Sequence, residues 1–154
     1  MCGYLGHYSG RCRCTPDQVL RYRAKLCGPL LDRIDIQIEV SALREKDLLH
    51  SAVGESSAAV RTRVERAYQL QLERQGKPNA DLLPLEIDRL CLTDAAAGTL
   101  ARRAITRLSL SARAYYRVLK LARTIADLAR EEIIAVQHIA EAVQYRRFDG
   151  GRSA

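Results

Sequence analysis

Apolar and polar residues alternate at a spacing of two in one place, where Ile34, Ile36, Ile38 and Val40 are interleaved with Asp35, Gln37 and Glu39. That period puts successive side chains on opposite faces of a strand. Elsewhere the apolar positions recur every three or four residues, the spacing of one helix face. The first helical segment opens at Thr15, whose hydroxyl suits an N-cap; Pro16 fits the first helical position and Gln18 completes a capping box. This helix is predicted to run to about Lys25 and to stop at Gly28-Pro29, with Leu30 to Arg33 making one short turn before the strand.

After the strand the pattern predicts helices alone. Ser56 or Ser57 caps a helix through about Arg74, with Val60, Val64, Ala67 and Tyr68 on one stripe; Gly76-Lys77-Pro78-Asn79 ends it, and a loop reaches to about Leu83. Pro84 opens a short helix to Leu90, and Thr93 caps the next, which carries Leu100, Ala101, Ala104, Ile105 and Leu108. Ser111 begins a helix with Tyr115, Val118, Leu119, Ala122, Ile125, Ala126 and Ala129 on its apolar side and Arg113, Arg117, Lys120 and Asp127 opposite. A last helix near Val136 to Arg146 buries Ile139, Ala142 and Val143. The expected fold is therefore mainly α. A lone strand cannot satisfy its own ladder, so its partners are expected from another chain or another part of the protein, and the chain is read as a fragment.

A hydrophobic content of 47% is ample for a core, and 25 Lys+Arg against 18 Asp+Glu give a net charge of +7. Arginine dominates that excess, which favours acidic partners such as nucleotide phosphates or nucleic acid. No apolar run approaches the roughly 20 residues that span a bilayer and no leader pattern opens the chain, so a cytoplasmic protein is expected, without a membrane partner. Residues 1–14 read as loop. They hold three of the five cysteines, Cys2, Cys12 and Cys14, while Cys27 and Cys91 stand alone. An odd count argues for a metal site or plain thiols rather than a disulfide framework.

Three separated motifs carry a specific resemblance: Cys2-Gly3-Tyr4 through Gly10-Arg11-Cys12-Arg13-Cys14-Thr15-Pro16-Asp17-Gln18, then Gly28-Pro29-Leu30-Leu31-Asp32-Arg33-Ile34-Asp35, then Leu110-Ser111-Ala112-Arg113-Ala114-Tyr115-Tyr116-Arg117. The chain resembles the magnesium-chelatase-like ATPases, on the branch of the bacterial ComM (YifB) proteins. The likeness continues through Ala122 to Leu128 and His138 to Arg146. It implies an AAA+ motor whose subunits form a ring, hexameric in this reading, with ATP and Mg at the seam between neighbours. No Gly-x-x-x-x-Gly-Lys-[Ser/Thr] occurs in the sequence, so the phosphate loop and the acidic magnesium-binding strand are expected upstream, and the chain alone is expected to be inactive. On this view residues 1–14 are a cysteine-rich loop, 15–50 the end of the ATPase core, 51–148 a helical lid and 149–154 a flexible tail.

The resemblance makes Arg33 the arginine finger, reaching to the γ-phosphate held by the adjacent subunit, and Arg113 the sensor 2 arginine of the lid. The competing readings are an exposed ion pair of Arg33 with Asp32 or Asp35, and a solvated Arg113 like its neighbours Arg117, Lys120 and Arg123. Cys2, Cys12 and Cys14 form an incomplete zinc set. Relatives carry an Asn-Pro-Cys-Pro-Cys-Gly loop, which makes Cys2 the second cysteine of a pair, with His7 as a substitute fourth ligand and an oxidisable loop as the alternative. Arg11, Arg13, Arg21, Arg23 and Lys25 suit phosphate contacts or a subunit seam, and His50 and His138 are expected at the surface or its boundary. Tyr115, Tyr116 and Tyr145 fit helix packing better than base stacking. The motor is expected to remodel DNA by branch migration in natural transformation. The alternatives are a magnesium chelatase subunit acting on protoporphyrin and a self-contained basic module that binds nucleic acid.

Overall fold

The computed structural model describes residues 2–25, 30, 33–38, 40 and 54–146. The chain divides into two compact units, Met1–Leu31 with Ile38–Gly54, and Asp32–Gln37 with Glu55–Ala154. Among the described residues all regular structure is helical, apart from one isolated parallel bridge between Thr93 and Ile134. None of these helices is long and apolar enough to cross a membrane. The predicted helix stop at Gly28-Pro29, together with Cys27, Asp32, His50 and the tail, lies outside the described residues.

In the first unit, α1 (Pro16–Arg23) starts as the sequence predicts. The Gln18 backbone N–H donates to Thr15 Oγ1 at 3.3 Å and the Thr15 N–H donates to Gln18 Oε1 at 3.1 Å. The helix stops two residues short of Lys25 and buries none of its side chains.

The second unit holds α2 (Ser57–Gln75), a 3₁₀ turn (Asn79–Asp81), α3 (Pro84–Leu90), α4 (Ala95–Leu108), α5 (Ala112–Ala129) and α6 (Val136–Gln144). Helix α5 is its axis, packing on α6, α2, α3 and the 3₁₀ turn. Ala97, Ala101, Ala114, Ala122, Ala126 and Ala142 are buried where these helices meet, and such small side chains let helix axes approach closely. Leu82, Ile87, Val118, Ile134 and Ile139 fill the space between, each contributing about 1.5–3 kcal/mol by leaving water. The bridge ties the start of α4 to the loop before α6: Asp94 N–H donates to Ile134 O at 3.2 Å, and Ile134 N–H to Leu92 O at 2.8 Å.

Several expectations are corrected. Residues 34–38 and 40 form no strand: Ile34, Ile36, Ile38 and Val40 are all exposed, because no neighbouring strand among the described residues offers a ladder. On α2, Val64 and Tyr68 are exposed while Ala67 and Gln71 are buried, since this face meets α5 through a small residue and a polar one. The cap of α4 is Asp94, whose Oδ1 accepts from Ala97 N–H at 2.6 Å, rather than Thr93.

His138 is buried, not at the boundary: its Nδ1 accepts the Ala135 backbone N–H at 3.1 Å, satisfying an orphan donor at the start of α6. Arg123 and Asp127, expected on the solvated side of α5, are also buried. Asp127 Oδ1 accepts from Arg74 Nη1 at 2.6 Å and from Arg123 Nε at 3.1 Å; its Oδ2 accepts from Arg74 Nη2 at 3.0 Å and from Asn79 Nδ2 at 2.8 Å. The other guanidinium nitrogens of Arg123 donate to the carbonyls of Glu131 and Glu132, which fixes the turn into α6. Burial by itself would raise the Asp127 carboxyl, but donation from Arg74 and Asn79 and the charges of Arg123 and Arg74 outweigh it and hold the group below its usual value.

Candidate functional site

Arg33 sits in an exposed turn within the second unit, and its backbone is held by the helices around it. Arg117, on α5, donates from Nη1 to the Arg33 carbonyl at 2.6 Å and to Asp35 Oδ1 at 2.6 Å. Arg146, just beyond α6 and only 1% exposed, donates from Nη2 to the Ile34 carbonyl at 3.2 Å and lies 3.8 Å from Asp35. The Gln37 backbone N–H donates to the Tyr145 carbonyl at 2.9 Å. Four hydrogen bonds and one ion pair therefore clamp residues 33–37 between α5 and the end of α6. Asp35, one candidate partner for Arg33, is engaged by Arg117, and among the described residues the Arg33 side chain makes no ion pair.

Arg113 is exposed in the first turn of α5, directly after its cap. Ser111 Oγ accepts from Ala114 N–H at 3.1 Å, which sets where the helix begins and hence where Arg113 projects. Residues four apart share a helix face, so Arg113 stands one turn from the arginine that grips Arg33. Arg117 thus stands on α5 one turn from Arg113 and holds the backbone of Arg33.

In the first unit the loop before α1 brings Cys2, Cys12 and Cys14 together, with their sulfurs all within 4.8 Å of one another. Cys2 Sγ is 3.6 Å from Cys12 Sγ and 3.4 Å from Cys14 Sγ, and all three thiols are free. The Tyr4 backbone N–H and the Cys14 thiol bring the Cys2 thiol down to about 7. His7 does not join them. Its Nδ1 accepts from Ser9 N–H at 3.1 Å and its ring stacks on Tyr8. Beside the cysteines, Arg13, Gln18, Arg21, Tyr22 and Lys25 line an open cavity of about 550 Å³ that also includes Cys2 and Cys14. Of the basic cluster read from the sequence, this cavity gathers Arg13, Arg21 and Lys25.

Sequence reasoning took Arg117 and Arg123 for solvated residues and gave Arg146 no role. Arg117 and Arg146 reach carbonyls and a carboxylate far along the chain, and Arg123 reaches Asp127 and the carbonyls of the turn after its own helix, none of which helical periodicity encodes.

Known proteins are similar to this chain in sequence. A family model described as "Magnesium chelatase, subunit ChlI C-terminal" matches residues 54–146, and one described as "Magnesium chelatase, subunit ChlI" matches residues 1–48. The Competence protein ComM of Haemophilus influenzae is 45% identical over 143 residues, 92% of this chain and 28% of that protein. YifB of Escherichia coli is 45% identical over 147 residues, 94% of this chain and 29% of that protein. A Mycobacterium tuberculosis relative is 33% identical over 140 residues, 88% of this chain and 28% of that protein. The chain thus spans less than a third of the length of these relatives.

Proposed function

Since the chain belongs to the magnesium-chelatase-like family, in its ComM/YifB branch, we propose that it is the finger-and-lid part of a ring-forming AAA+ ATPase. Arg33 acts in trans on ATP held by a neighbouring subunit, and Arg113 contacts the γ-phosphate as the sensor of the lid. The observation that carries this reading is the clamp on residues 33–37: the backbone of Arg33 is fixed while its guanidinium, charged at any physiological pH, stays exposed. A positioned guanidinium lowers a phosphoryl-transfer barrier by neutralising charge that grows on the transferring group. The residues present fit that role and not nucleotide binding in full, because the sequence has no phosphate loop. ATP and Mg therefore belong to the assembled protein, and the partners of this chain are its own upstream core and the neighbouring subunits, six to a ring.

The substrate we propose is DNA, moved by the assembled motor as in branch migration. Support comes from the competence role printed for the Haemophilus influenzae relative and from the basic cavity along α1. The family description also admits magnesium insertion into protoporphyrin, a reading without support among the residues placed here. The test is Arg33→Ala in the full-length protein. Turnover falls by about 10³-fold or more while nucleotide affinity stays within about twofold. Retained turnover refutes the assignment.

A further inference from the structure

The loop ahead of α1 holds a cluster that the proposed ATPase role does not use. Cys2 comes from one end of the loop and Cys12 and Cys14 from the other, ten and twelve residues away, yet their sulfurs converge. Tetrahedral zinc with Zn–S bonds of about 2.3 Å sets sulfur–sulfur edges of about 3.8 Å. The observed separations of 3.4 and 3.6 Å are within a few tenths of an ångström of that edge. A disulfide, at about 2.05 Å, would pair two of the three and strand the third. Cys91, by contrast, is buried in the core of the other unit.

We propose that Cys2, Cys12 and Cys14 bind one zinc ion as three thiolates, with a water molecule in the fourth position. His7 is not taken as the fourth ligand because it does not join the sulfur cluster. Binding converts three thiols to thiolates and releases three protons: Zn²⁺ with three Cys–SH and one water gives a [Zn(S–Cys)₃(OH₂)] centre of charge −1. That charge is matched by Arg13, Arg21 and Lys25, which line the cavity that Cys2 and Cys14 also line. The centre joins the two ends of the loop and ends one residue before the Thr15 cap of α1, so it fixes the basic cavity in place. Its role is structural. Loop and helix then form one surface for phosphate-bearing partners.

The experiment is elemental analysis of the purified chain after zinc loading and exhaustive dialysis, alongside cobalt substitution. One zinc per chain is expected. Cobalt should give the intense visible d–d bands of a tetrahedral site and a near-ultraviolet thiolate charge-transfer band. Cys12→Ser and Cys14→Ser should each abolish both signals, and Cys91→Ala should leave both unchanged. Helical content by circular dichroism shows that each variant has folded, since the three cysteines lie outside the helical core. Absence of zinc from the folded wild-type chain overturns the proposal. So does zinc that persists in Cys12→Ser and Cys14→Ser, or a cobalt spectrum of the weak octahedral type.

Discussion

Replacing Asp127 with alanine removes the acceptor for Arg74, Arg123 and Asn79 in one step. Its side chain is 2% exposed and that of Arg123 only 1%, so the variant leaves a guanidinium in the interior without its carboxylate. Breaking a buried pair in this way costs about 3–5 kcal/mol, because the surviving charge keeps its desolvation penalty and loses its attraction. In a domain of this size each kcal/mol lowers the melting temperature by about 4–8 °C, so a fall of at least about 12 °C is expected. Asp127→Leu combined with Arg123→Met should lose less, since the fully buried guanidinium goes with the carboxylate and only Arg74, whose side chain is 28% exposed and reaches water, is left without its partner.

The acid limb of stability supplies a second readout. The folded Asp127 carboxyl lies below its ordinary value of 3.8, so its contribution is fully present above that pH and is lost as pH falls through the lower folded value. Wild-type stability should decline below about pH 3.8 more steeply than that of Asp127→Asn. Thermal and urea unfolding followed by circular dichroism measure both effects. A loss under about 1 kcal/mol for Asp127→Ala would refute the reasoning, as would equal melting temperatures for the single and double variants.

Gly76 ends α2 at φ +72° with open space around a built Cβ, so Gly76→Ala meets no clash and should cost about 1–2 kcal/mol from the left-handed backbone alone, measurable by urea unfolding. Arg117→Ala in the full-length protein releases the Arg33 carbonyl and Asp35, so turnover at saturating ATP should fall about 10- to 100-fold, with nucleotide affinity unchanged and partial rescue by Arg117→Lys.

The helices were legible because their signals are local. Thr15 with Gln18, Ser56, Gly76, Pro84 and Ser111 each mark an end through chemistry within four residues, and the structure uses all of them. The same holds for the buried stripe of α5, where Val118, Leu119, Ala122 and Ala126 repeat at helical spacing. What periodicity could not reveal is which polar residues go inside. Arg123 and Asp127 are charged and i,i+4, a pattern that ordinarily reads as a solvated pair; Arg74, 53 residues before Asp127, and Asn79 complete the carboxylate, and the Glu131 and Glu132 carbonyls complete the guanidinium, which makes their burial tolerable. The Ile34–Val40 alternation was misleading for a related reason: alternation states a preference, and a strand also needs a neighbour. Arg33 and Arg113 were singled out through resemblance. The hold of Arg117 on the Arg33 backbone became visible only with coordinates.

Subunit mixing tests the central claim most directly. Full-length subunits carrying Arg33→Ala with an intact phosphate loop are combined with subunits whose phosphate loop is disabled but whose Arg33 is intact, and ATP hydrolysis is measured before and after mixing. If Arg33 serves the neighbour's nucleotide, each preparation is inactive alone and the mixed rings regain turnover. Rings that form but remain inactive on mixing, or Arg33→Ala subunits that hydrolyse ATP unaided, contradict the account.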